Sequence, residues 1–334
     1  MHKPLRILTS VAAWEGLAPK IAELMGQRPY VHLSPEAVLS RGQTADVAFI
    51  SREVTGMSTK FDILPETQQF YDALLQSNDL KWVHVHSAGA DRPVYQALMK
   101  RGVVLTTSSG ANARAVAHSA LAGILSLARA FPKLMQQQRH HQWRAVVNEN
   151  SLPDLNGQTA LIIGWGPIGQ LIGKVLDILE LDLIVARRNT AALPEGYPVV
   201  STRDLPQVLG QVDWLILACP LTPETRHLVD ARVLAALKPG ARVVNIARGE
   251  VIDEPALIHA LASGQLGGAY LDVYAQEPLP ADSPLWDMPN VIATPHSAGH
   301  SRGMYQRMAQ MFLDNLARYL GDQPLAQVAT PAEP

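Results

Sequence analysis

Three polar residues each stand just beyond a short apolar run in the second half of the chain. They are Arg248 in VVNIARGEVIDEPAL (243–257), Glu277 in LDVYAQEPLP (271–280) and His296 in TPHSAGH (294–300). A guanidinium can hold a carboxylate through two parallel charge-assisted hydrogen bonds. An imidazole can pass a proton near neutral pH, and a neighbouring carboxylate fixes its tautomer and favours its charged form. The set fits reduction of a 2-keto acid: Arg248 holds the carboxylate, a hydride reaches the carbonyl carbon, and His296 protonates the oxygen.

Such groups converge only if the chain delivers them from separate strands to one edge of a sheet. The first hundred residues alternate strand-like runs, LRILT (5–9), ADVAFI (45–50), WVHVH (82–86) and VVLTT (103–107), with helical stretches at 17–25, 65–76 and 93–101. A long helical stretch, 112–134, follows, and then a polar segment, QQQRHHQW (136–143). A second alternating series begins with TALIIGWG (159–166) and continues through strands at 182–186, 213–218, 242–247, 268–273 and 290–295. Alternation of this kind predicts α/β architecture, here two doubly wound parallel-sheet domains whose strand C-termini line the ligand crevice. A last helix near 301–320 carries Met304, Met308, Met311, Phe312 and Leu316, an apolar stripe that predicts packing on a core.

GWGPIG places Gly164, Gly166 and Gly169 in the G-x-G-x-x-G spacing, after a strand and at the opening of a helix that begins near Pro167 and Ile168. Glycine permits a sharp turn and close backbone approach, and the helix N-terminus then receives a pyrophosphate. In such a unit a carboxylate at the end of the next strand holds the ribose hydroxyls of NAD. Here that position is Ala186, followed by Arg187 and Arg188. The missing carboxylate and two permanently charged forks predict NADP(H), with Asn189 or Thr190 as further donors.

The chain has 334 residues, 47% hydrophobic and 17% charged, with a formal net charge of -2. That length predicts two domains, and the balanced charge predicts neither nucleic acid nor an anionic membrane as partner. The apolar runs are too short for a membrane span, and MHKPLRILTS reads as a first strand rather than a signal peptide. One cysteine, Cys219, excludes an intramolecular disulfide and points to a reducing, cytoplasmic setting.

The sequence resembles the D-isomer-specific 2-hydroxyacid dehydrogenase family, which includes glyoxylate/hydroxypyruvate reductases. The resemblance runs in order through SAGAD (87–91), GWGPIG, CPLTPETRHLVD (219–230), VVNIARGEVIDEPAL, LDVYAQEPL and SPLWDMPNVIATPH (283–296). It implies Arg248 as the substrate-carboxylate ligand, Glu277 as the partner of His296, and His296 as general acid/base. It implies that Ser87, Ala88 and Gly89 lie over the substrate, Ala88 and Gly89 offering backbone N–H groups. It sets Asp272 near the nicotinamide carboxamide, and Cys219, Pro220, Thr222 and Ala247 along the cofactor groove. It also implies a flavodoxin-like substrate domain of residues 1–106 with 297–334, a Rossmann cofactor domain of 107–296, and a homodimer built on the long helix and the segment after it, with Trp143 at the interface. The family usually has an acid after AVA, where this chain has His118.

Other candidates have plainer readings. His84 and His86 alternate on one strand face, as a metal pair would, but read as hydrogen-bonded side chains near the cleft; no cluster has zinc-like spacing and no metal is expected. His140 and His141 read as solvent-facing, Cys219 as a small apolar filler, and His300 and Arg302 as lining the substrate mouth. Alternative activities on the same scaffold are a formate or phosphite dehydrogenase, which the retained Glu277 disfavours for formate, and a dinucleotide-sensing, corepressor-like regulator.

Overall fold

Short β-branched runs form the strands of two parallel sheets in a computed structural model that describes residues 3–59, 62–146, 151–188 and 196–330. The chain divides into two compact units, Met1–Ala111 with Ser301–Pro334, and Asn112–His300. Asn189 and Thr190 lie outside the described residues.

The first unit holds β1 (Leu5–Leu8), α1 (Val11–Met25), β2 (Tyr30–Leu33), α2 (Pro35–Arg41), β3 (Val47–Ile50), α3 (Arg52–Thr55), α4 (Pro65–Gln76), β4 (Trp82–Val85), α5 (Pro93–Lys100) and β5 (Val104–Thr107). Its five strands are parallel in the order β2-β1-β3-β4-β5, the flavodoxin-like winding. β3 and β4 are buried along their whole length, as strands covered on both faces must be. The last helix of the chain, Met304–Leu320, returns to this unit. Its Phe312, Leu313 and Leu316 pack on Ile7, Val47, Phe49 and Trp82, so the apolar stripe does pack on a core, with Met308 buried and Met311 partly so.

The second unit begins with α6 (Ala113–Ala128) and α7 (Phe131–Arg139), then β6 (Thr159–Ile163), α8 (Pro167–Ile178), β7 (Asp182–Arg187), β8 (Val199–Ser201), β9 (Trp214–Leu217), α9 (Ala231–Ala236), β10 (Ala241–Asn245), α10 (Glu254–Ala262), β11 (Leu266–Leu271) and β12 (Val291–Ala293); α11 is Met304–Leu320 of the first unit. Its seven strands run parallel in the order β12-β11-β10-β9-β6-β7-β8. The winding reverses between β6 and β9, the point where a doubly wound sheet opens a crevice at its strand C-termini.

One expected element is corrected. The helical stretch 112–134 is two helices that meet at 70°. Ala130 between them takes the left-handed conformation, φ 53°, and Pro132 sits in the first turn of α7, where its missing N–H costs no helical bond. Among the described residues no single helix is long and apolar enough to cross a membrane.

Candidate active site

His296 and Glu277 meet. The imidazole Nδ1 lies 2.7 Å from Glu277 Oε2, while Glu277 Oε1 accepts the Tyr274 N–H at 3.1 Å. Burial pushes the Glu277 carboxyl upward, but the His296 hydrogen bond and charge, the Tyr274 N–H and the Arg248 charge outweigh it and hold the group below its ordinary value. An ionised carboxylate only accepts, so Nδ1 carries the proton of this bond and Nε2 is left for other chemistry.

Arg248 follows β10 by three residues and opens a short turn, Gly249–Val251. That turn is wedged against the loop carrying Glu277: a Cβ on Gly249 would lie 1.8 Å from the Tyr274 carbonyl carbon, so only glycine lets the two loops approach. Arg248 Nη1 donates to the Ala247 carbonyl at 2.7 Å.

The glycine cradle has the expected form. Gly164 follows β6 with φ 101°, and its N–H donates to the Ala186 carbonyl at 3.0 Å. A Cβ there would come 2.7 Å from the Ala218 carbonyl, and one on Gly169 would come 2.2 Å from the Gly164 oxygen. Gly166 differs: nothing lies within 4 Å of its Cβ position, and it caps α8 with Pro167 and Ile168 next in line. Tight packing behind the turn and open space over the helix N-terminus fit a dinucleotide pyrophosphate.

Comparison with known proteins agrees with this geometry. The model of the D-isomer specific 2-hydroxyacid dehydrogenase, NAD binding domain, matches residues 121–298. The chain belongs to the D-isomer specific 2-hydroxyacid dehydrogenase family. Glyoxylate/hydroxypyruvate reductase B of Pectobacterium atrosepticum is 34% identical over 255 residues, 75% of this chain and 79% of its own. An NADPH-dependent glyoxylate/hydroxypyruvate reductase from Sinorhizobium meliloti, solved with NADP and sulfate, superposes with a TM-score of 0.77 at 26% identity, over 99% of both chains. A D-isomer specific 2-hydroxyacid dehydrogenase from Xanthobacter autotrophicus, solved with NADPH and MES, gives 0.76 at 26% identity over 99% of both chains. The protein is thus an oxidoreductase with a nicotinamide-dinucleotide-binding domain.

The other candidate residues follow β7 and β9 in the second unit and β4 in the first. Arg187 ends β7, and the exposed Arg188 reaches within 4.0 Å of Glu224. Glu224 is held by the Thr222 hydroxyl at 2.7 Å in a turn where Thr225 Oγ1 also donates to the Pro220 carbonyl. Cys219 follows β9, and burial pushes its thiol up to about 11, which suits a packing role and not a thiolate. Ser87, Ala88 and Gly89 belong to the first unit, in the loop after β4, where the Ser87 hydroxyl donates to the Gly89 carbonyl at 2.7 Å. His84 is engaged on both nitrogens, by Thr106 at 2.8 Å and Ser108 at 3.0 Å, and His86 Nε2 meets Thr55 Oγ1 at 2.8 Å.

Asp272 directly follows β11. It is buried, and its carboxylate gathers the Thr294 hydroxyl at 2.7 Å and the N–H groups of Ser297 at 2.9 Å and Ala298 at 3.1 Å. Burial raises its carboxyl despite those donors. It therefore clamps the loop that presents His296. Asn245, absent from the sequence reading, does the same for Arg248: Nδ2 donates to the Arg248 carbonyl at 3.1 Å, and Oδ1 accepts the Ala247 N–H at 3.1 Å. Tyr274 is a third support, its hydroxyl lying 3.0 Å from the Leu271 carbonyl and 3.1 Å from that of Thr294. A polar residue closing an apolar strand, as in RVVN, was the available signal for Asn245.

Proposed function

We propose that this dehydrogenase reduces small 2-keto acids, glyoxylate and hydroxypyruvate among them, to 2-hydroxy acids with NADPH. The observation that carries the reading is the 2.7 Å contact of His296 Nδ1 with an ionised Glu277, which leaves Nε2 to act. When bound, the reduced nicotinamide supplies the hydride that reaches the keto carbon. Arg248 pairs with the substrate carboxylate and so sets which carbonyl is presented. Ala88 and Gly89 offer backbone N–H groups to the same carboxylate. His296 delivers a proton from Nε2 to the carbonyl oxygen as the alkoxide forms, and Glu277 stabilises the imidazolium that precedes this transfer. The product leaves as the hydroxy acid, and His296 takes a proton back from solvent.

The choice of NADP(H) rests on the strand end of β7. Ala186 offers no carboxylate to repel a 2′-phosphate, and Arg187 and Arg188 supply forked cations. The NADP(H)-bound relatives from S. meliloti and X. autotrophicus support it. The half-exposed Phe131 and Met135 of α7 and the almost fully exposed Trp143 support a homodimer formed through this face, and the single buried Cys219 supports a cytoplasmic location. With glyoxylate as acceptor, kcat/KM for NADPH exceeds that for NADH about tenfold or more, and the double change Arg187→Ala with Arg188→Ala removes most of that preference. Equal values for the two cofactors, or a preference for NADH, contradict the assignment.

A further inference from the structure

His296 stands in the left-handed region, φ 49°, and its N–H donates to the Thr294 carbonyl two residues back at 3.0 Å. A residue with a side chain keeps that conformation only where its surroundings hold it there. Asp272 holds the loop through Thr294, Ser297 and Ala298. A second hold comes from α6. Asn112, which caps that helix, recurs with Val116, Ser119 and Gly123 at the spacing of one helix face. This face lies against the loop and β11. A Cβ on Gly299 would come 3.2 Å from Asn112 Nδ2 and 3.5 Å from Val116 Cγ2. Ser119 Oγ donates to the Ala298 carbonyl at 3.2 Å. A Cβ on Gly123 would come 2.4 Å from Tyr270 Cγ, so the helix carries no side chain where the buried Tyr270 ring packs. All of these groups belong to the second unit.

The Tyr270 hydroxyl lies 3.2 Å from Thr294 Oγ1. Thr294 has one hydroxyl proton, and the Asp272 carboxylate at 2.7 Å is the stronger acceptor for it. The phenol therefore donates to Thr294. Burial pushes the Tyr270 phenol up from its ordinary value, opposed by the hydroxyls of Thr294 and Ser119 and aided by the Asp272 charge, so it keeps its proton. Both flanks of His296 are thus held from the α6 side, Thr294 through Tyr270 and Ala298 through Ser119. We infer that Tyr270 and Ser119 are positioning residues for the proton transfer, acting through the loop 294–298 to set where His296 presents Nε2. Glu277 fixes the tautomer of the ring, whereas these two fix the backbone that carries it. A displacement of about 1 Å at a proton donor is enough to slow turnover by up to about 10²-fold. The inference rests on the reading of His296 as proton donor.

The test follows glyoxylate reduction by NADPH in the wild type, Tyr270→Phe, Ser119→Ala, Ser119→Thr and His296→Gln. Melting temperature and NADPH affinity are measured for each, with the primary isotope effect on kcat for NADPH deuterated at the transferred position. Tyr270→Phe keeps the ring that packs beside Gly123, so it melts and binds NADPH close to the wild type while kcat falls about tenfold. KM for glyoxylate stays within about threefold, because the Arg248 turn is held separately by Asn245. The isotope effect is at least as large as in the wild type, since the slowed step is the chemical one. Ser119→Ala lowers kcat about threefold, and Ser119→Thr, which keeps the hydroxyl, recovers most of it. Three results overturn the inference: kcat in Tyr270→Phe within about twofold of the wild type, a smaller isotope effect, or Ser119→Thr as slow as Ser119→Ala. The reductase reading then stands as long as His296→Gln is slow. A His296→Gln that turns over like the wild type overturns both.

Discussion

Asp272 and Asn245 are joined at the ends of adjacent strands: the Asp272 N–H donates to the Asn245 carbonyl at 3.0 Å. Each then clamps a loop that carries a candidate active-site group, Asn245 the Arg248 turn and Asp272 the segment after His296. The C-terminal ends of β10 and β11 thus tie the Arg248 turn to the loop after His296 through two buried side chains and one backbone bond.

Asn245→Ala removes the acceptor of the Ala247 N–H and the donor to the Arg248 carbonyl inside the protein. The Ala247 N–H left without its acceptor costs about 1–3 kcal/mol if water does not reach it, while the Arg248 carbonyl keeps the Val251 N–H at 3.2 Å, so the melting temperature falls by a few degrees. The Arg248 turn loosens with the loss. KM for glyoxylate rises about tenfold while KM for NADPH changes little; steady-state kinetics with each substrate varied in turn, beside a thermal melt, checks both.

The cradle glycines separate fold from ligand. At Gly169 a Cβ would lie 2.2 Å from the Gly164 oxygen, so Gly169→Ala forces backbone movement and destabilises by about 1–3 kcal/mol. At Gly166 the same position is open. Gly166→Val melts close to the wild type but weakens NADPH binding about tenfold or more, because the side chain occupies the space over the helix N-terminus. Thermal melts paired with cofactor titration distinguish the two.

Glu277 gives a pH signature. Its folded-state carboxyl lies below its ordinary value, so the unfolded chain binds the extra proton as the pH falls through that range. The stabilising contribution is complete above roughly pH 4.3–5 and is lost on further acidification. The fall in melting temperature between about pH 5 and pH 3 is therefore smaller in Glu277→Gln than in the wild type. At neutral pH the same variant turns over at least tenfold more slowly, since an amide cannot hold Nδ1–H and stabilise the imidazolium as a carboxylate does.

Much of this was legible before any coordinates. Alternating runs announced two parallel sheets, and GWGPIG named its own strand–turn–helix, because glycine spacing reports directly on backbone geometry. Two strands, Tyr30–Leu33 and Val199–Ser201, were missed: each lies at an edge of its sheet, is only partly buried, and lacks a continuous apolar run. The break at Ala130 was missed because apolar spacing continues across it while the axis turns; Pro132 was the clue. Arg248, Glu277 and His296 were singled out by their types at strand ends, and of these Glu277 and His296 meet. Asn245 and Tyr274 were not, since a supporting residue is defined by what it touches, and those contacts, Asn245 to the Arg248 carbonyl and Tyr274 to the Thr294 carbonyl, join loops whose spacing the sequence does not show.

The most direct test of the account is kcat for glyoxylate reduction by NADPH in His296→Gln, measured beside NADPH affinity by equilibrium titration. The account predicts a loss of about 10²–10⁴-fold in kcat, the range for removal of a positioned proton donor, with cofactor affinity within a few-fold of the wild type. Turnover within about threefold of the wild type contradicts it.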